Sequence, residues 1–168
     1  MYNVLDIARY VINRSSDKGS PVSNLKLQKM LYYIQAAFLI ETKDRCFNDP
    51  ILCWRHGPVV KRAYDEFSRY ASNEIPAQKT YQKIAIENGK LSFGTFTFSD
   101  SFLSSDDHKQ LLDNVIDGLL PYNPWYLVDR THEESSWKSL TVYNVEITPE
   151  SIADYFKNHP RRVYGEFN

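Results

Sequence analysis

A chain of 168 residues, 42% hydrophobic and 24% charged, fits one globular domain able to bury a core without disulfide or metal staples. Twenty Lys and Arg against 21 Asp and Glu leave a formal charge of −1, which excludes a global field drawing it to nucleic acid or anionic lipid. Without a long uninterrupted apolar run or a basic leader, the protein is expected in the cytoplasm, off the membrane.

Residues 2–14 place Val4, Leu5, Ala8, Val11 and Ile12 on one helical stripe, which Ser15-Ser16-Asp17-Lys18-Gly19-Ser20-Pro21 breaks. Ser23 is an N-cap for a longer helix to about residue 42, with Leu27, Leu31, Ile34 and Phe38 as its buried row. Lys26, Lys29 and Tyr33 lie on a neighbouring face, read as solvated or protein-contacting rather than as a nucleic-acid surface. Ile51, Leu52 and Cys53 read as a short buried strand. In Trp54-Arg55-His56-Gly57-Pro58-Val59-Val60, Gly57 permits a tight turn and Pro58 suits the first position of a third helix over 58–70. That predicts a rigid strand-to-helix corner presenting Arg55 and His56.

Residues 80–86 and 91–98, split around Asn88-Gly89, predict a β-hairpin, because Asn-Gly supplies the positive φ that a tight turn needs. Ser104 or Ser105 caps a helix carrying Leu111, Leu112, Val115, Ile116 and Leu119. A further helix begins near Pro124 and carries Trp125, Leu127 and Val128 toward Thr131-His132. Residues 142–147 read as a short strand, and Thr148-Pro149-Glu150 opens a last helix. The predicted architecture is helix-dominated α+β: about six helices with a small antiparallel sheet or β-hairpin. One domain spans 1–160, and 161–168 form a loose tail. Trp54 and Trp137 are expected to be largely buried.

The residues that carry chemistry point away from catalysis. Cys46 and Cys53 match no zinc or redox spacing and read as free thiols. Cys53 near His56 lacks an orienting partner and an oxyanion loop, so a buried inert thiol fits better than a nucleophile. Thr131-His132-Glu133-Glu134-Ser135-Ser136-Trp137 has no second His four residues on, as a zinc helix requires. With no Gly-rich phosphate loop either, no catalytic residue, metal or cofactor is expected. Aromatic content of 14% favours a protein-binding role.

Three blocks then carry a resemblance. Asn24-Leu25-Lys26-Leu27-Gln28-Lys29-Met30-Leu31-Tyr32-Tyr33-Ile34-Gln35, Trp54 to Val60 with Tyr64, and Thr131-His132-Glu133 with Ser136-Trp137 occur in this order across nearly the whole chain. They resemble the SocA-like Panacea-domain antitoxins, also known as phage-associated GepA-type proteins; Ser136 stands where the family usually has Pro. The resemblance implies a bacterial or prophage antitoxin that neutralises a co-encoded toxin by direct contact. A proteolytic adaptor delivering the toxin to a protease is the variant, and a metal-dependent or thiol hydrolase the enzymatic outsider. Carried over are Lys26, Gln28, Lys29, Tyr32, Trp54, Gly57, Pro58, Val59, His132 and Trp137, most of them structural. Lys29, Tyr33, Arg55, His56, Arg62 and His132 are the candidate partner contacts, chosen for expected exposure at helix faces and at the corner.

Overall fold

The computed structural model describes residues 1–140 and 142–168, excluding the side chains of Ala85 and Glu87. Seven α-helices and two antiparallel two-stranded hairpins are present among the described residues. This is the helix-dominated α+β architecture that the sequence predicts.

Helix α2 (Asn24–Glu41) is the axis. The Ser23 hydroxyl accepts from the Lys26 amide and caps its start. A helix apolar on most sides must be covered on most sides, and α2 is. Against it pack α1 (Val4–Asp17), α4 (Asp106–Leu119), α5 (Pro124–Glu133) and α7 (Pro149–Asn158). Leu27, Leu31 and Ile34 are fully buried, as the heptad-like row requires. Asn123 and Thr148 cap α5 and α7, each followed by Pro at the first helical position, where no N–H is needed.

The expected strand-to-helix corner is instead a strand–turn–strand. Strand β1 (Ile51–Trp54) pairs antiparallel with β2 (Gly57–Val60), and α3 (Lys61–Phe67) starts three residues later than the Gly-Pro pattern suggests. In an antiparallel strand, the N–H and C=O of one residue point to the same side. The Pro58 carbonyl faces away from β1, toward Lys29, so its missing N–H removes no ladder bond. Gly57 supplies the positive φ of +92° that closes the Arg55-His56 turn. The far edge of β1 is filled by 144–147, through Cys53 N–H to the Val145 carbonyl (2.8 Å) and Ile147 N–H to the Ile51 carbonyl (2.8 Å). The short strand expected at 142–147 is thus a single bridge, Leu52 to Glu146.

The second hairpin, β3 (Thr80–Glu87) and β4 (Lys90–Thr97), turns at Asn88-Gly89 as the sequence predicts. It projects from the body, with Ile86 and Phe93 75% and 77% exposed. Helix α6 (Ser135–Lys138) is a single turn after α5.

The chain's end is not loose. A 3-10 turn at Pro160–Tyr164 packs on α4, with Val163 and Phe167 buried. Gly118 and Gly165 meet backbone to backbone: a Cβ on Gly118 would lie 2.1 Å from the Tyr164 carbonyl oxygen. Short apolar spacing in a charged tail hid this packing from the sequence. Trp54 and Trp137 are half-buried rather than core residues, because each has one face on the surface formed by the β1–β2 turn.

Candidate functional site

The motif residues converge beneath the β1–β2 turn. The Gln28 carboxamide accepts the Val60 amide (2.9 Å) and donates to Asn24 Oδ1 (2.9 Å), while Asn24 Nδ2 reaches the Tyr64 carbonyl (3.0 Å). Lys29 Nζ donates to the Pro58 carbonyl (2.9 Å), and Lys26 Nζ to the Leu120 carbonyl (2.7 Å) at the end of α4. Burial without a carboxylate partner pulls the Lys29 ammonium down to about 7. One face of α2 therefore holds the hairpin through side-chain bonds to its backbone.

A second network closes the other side. Tyr32 shares a hydrogen bond with Ser136 Oγ (2.6 Å), and the Tyr33 hydroxyl donates to Glu134 Oε1 (2.9 Å). Glu134 also pairs with Arg162 (3.2 Å), which ties the C-terminal turn to α6. Burial pushes the Glu134 carboxyl up to about 7, against the opposing pull of Arg162. Trp137 Nε1 donates to the Trp54 carbonyl (3.3 Å), and its ring stacks on His132 at 3.9 Å. Burial lowers the His132 pKa.

Of the six candidate contacts, Lys29 and Tyr33 are fully buried, so neither meets a partner; both are internal braces. His132 is half-buried under Trp137. Arg62 is exposed on α3, 3.6 Å from Asp49 and outside the groove described next. Arg55 and His56 alone stand exposed at the turn. Lys26, Gln28, Tyr32, Gly57, Pro58 and Val59 are buried: Gln28 bonds the hairpin backbone, Lys26 the end of α4 and Tyr32 the Ser136 hydroxyl, while Gly57, Pro58 and Val59 belong to β2 itself.

Arg55 and His56 border a groove of about 450 Å³ walled by Leu25, Trp54, Val59, Tyr64, Trp125 and Tyr143. Trp54 meets Tyr64 edge to face (5.0 Å), and His56 meets Trp125 the same way (5.1 Å). Trp125 is 57% exposed, off the buried face of α5. The signal was present: Leu127, Val128 and Thr131 set the buried stripe, and Trp125 lies about 110° from its centre at 100° per residue. Tyr143 had no such signal, since only the bridge to β1 brings it beside Trp54.

Among the described residues, no group of three or more His, Cys, Asp or Glu side chains is placed to hold a metal ion. Burial raises the Cys53 thiol, which disfavours its thiolate form. No described helix is long and apolar enough to cross a membrane.

The family model described as "Antitoxin SocA-like, Panacea domain" matches residues 27–138, the span from the α2 braces to Trp137. A 65-residue stretch is 38% identical to Antitoxin SocA of Caulobacter vibrioides (strain NA1000 / CB15N), covering 36% of this chain and about a third (35%) of that protein. No solved structure matches. The motif blocks that brace the hairpin and the family match over two thirds of the sequence lead to one assignment: the chain belongs to the SocA-like, Panacea-domain antitoxin family.

Proposed function

We propose that this protein neutralises a co-encoded toxin by direct binding through the face centred on the Arg55-His56 turn. The observation that carries this reading is that the family motif points inward. Lys29 and Gln28 hold the hairpin backbone, Tyr32 and Tyr33 hold the Glu134-Ser136 segment behind it, and what stays exposed above them is Arg55 and His56 beside Trp54 and Trp125. Arg and aromatic side chains at the rim of an apolar groove have the composition of interface anchors. A shared scaffold with a rigid, outward-facing turn suits a family of binders.

The test is to express the reading frame adjacent to this gene with and without this chain. Growth arrest by that frame alone, relieved by this chain and accompanied by a co-purifying complex, is the expected result. Rescue should fail in the Arg55→Glu, Trp125→Ala double variant, with its melting temperature unchanged because both side chains are exposed. Absence of a complex overturns direct binding. Disappearance of the toxin protein from rescued cells would convert binding into delivery for proteolysis.

A further inference from the structure

The groove at the β1–β2 turn carries a permanent cation and no carboxylate. Asn24 Oδ1 and Gln28 Oε1 are both engaged inside the protein, and the Ser68 hydroxyl donates to the Asp65 carbonyl. What stays open among the described lining residues are the Arg55 guanidinium, the His56 ring, the Trp125 indole N–H and the hydroxyls of Tyr64, Ser72 and Tyr143. Arg and Trp can only donate hydrogen bonds. No Asp or Glu lines the groove, and Arg55 takes part in none of the ion pairs of the described residues. Its charge is therefore uncompensated at the mouth of an aromatic cavity.

We propose that this groove receives an acidic segment of a partner protein, placing a carboxylate on Arg55 and His56 and an adjacent large apolar side chain among Trp54, Tyr64 and Trp125. Charge complementarity selects the carboxylate, because a planar guanidinium with five donors matches it in a bidentate fork. The apolar walls select the neighbouring side chain, whose burial supplies affinity that one rim ion pair cannot. Nucleic acid is the poorer occupant. Its binding rests on several phosphates neutralised together, and the groove offers one permanent cation on a chain of net charge −1.

The proposal rests on the antitoxin reading only for the identity of the partner, so its test uses none. A random peptide library displayed on phage is selected on the intact full-length chain. Enriched peptides should carry Asp, Glu or the C-terminal carboxylate within a few residues of Trp, Phe or Leu. Arg55→Glu and, separately, Trp125→Ala should each weaken the best synthetic peptide roughly tenfold or more, as should replacing its acid by the amide. Enrichment without an acidic preference, affinity unchanged by Arg55→Glu, or no specific enrichment at all overturns the groove assignment. A chain that rescues cells but fails this selection keeps the antitoxin role and loses the groove. One that binds such peptides yet rescues nothing keeps the groove and loses the role.

Discussion

Lys29 and Gly57 form the tightest point of the brace, and each constrains the other. A Cβ on Gly57 would lie 2.6 Å from Thr131 Oγ1 and 3.0 Å from Lys29 Nζ, on a backbone already at φ +92°. Gly57→Ala should therefore destabilise by about 1–3 kcal/mol, adding left-handed strain to a steric clash, and chemical denaturation measures it. Trp137→Ala loses the His132 stack and the bond to the Trp54 carbonyl. Because the ring is half-buried, its cost should stay near 2 kcal/mol, below the roughly 3–5 kcal/mol of an emptied aromatic core site. Lys29 itself was not legible from the sequence as a buried group. Lysines almost never bury fully, and the one available hint was that α2 is apolar nearly all round, which obliges its few polar residues to go inside with it.

At the level of elements, the two hairpins show what short-range pattern can and cannot encode. Asn88-Gly89 between alternating strands is a self-sufficient signal, and β3–β4 forms where it predicts. Gly57-Pro58 is ambiguous, since the same pair suits a helix start or a strand whose proline faces outward. Lys29, 29 residues upstream, decides between them by taking the Pro58 carbonyl. The helices and their caps were readable because their apolar periods are local. The candidate site was readable as far as one motif block holds it, at Arg55 and His56 with Trp54 and Tyr64; Trp125 on α5 and Tyr143 beside the 144–147 bridge join them only through the fold. The projecting hairpin contributes little to the core, with Ile84, Ile86, Leu91 and Phe93 all exposed on one face. Replacing residues 83–94 by a two-residue Asn-Gly turn should shift stability by less than about 1 kcal/mol, by thermal melting. A larger loss would mean that the hairpin supports the body.

For the whole molecule, two buried ionisable groups make stability depend on pH in opposite directions. Glu134 titrates at about 7 in the folded protein, above its ordinary 4.5. The folded state thus holds a proton that the unfolded chain has released, and this contribution is full below 4.5 and lost as pH rises through about 7. Lys29 also titrates at about 7, below its ordinary 10.5. Between these values the unfolded chain holds the extra proton, so this contribution rises with pH from about 7 to 10.5; Lys26, also lowered by burial, adds to it, and the Cys46 and Cys53 thiols, raised from 9.0 by burial, oppose it at the alkaline end. Tyr32 and Tyr33 are raised well above 10.0 and stay protonated across most of this range. His132 is lowered from 6.5 by burial, so it opposes Glu134 on the acid side without touching the alkaline side. Single variants separate the terms. Glu134→Gln should remove the falling contribution between pH 4.5 and 7 and leave the alkaline rise, whereas Lys29→Met should reduce the rise to the share of Lys26 and leave the acid side. Urea denaturation of the three proteins across the range measures the difference. An alkaline rise undiminished by Lys29→Met would place that titration elsewhere and remove the lowered lysine from beneath the turn.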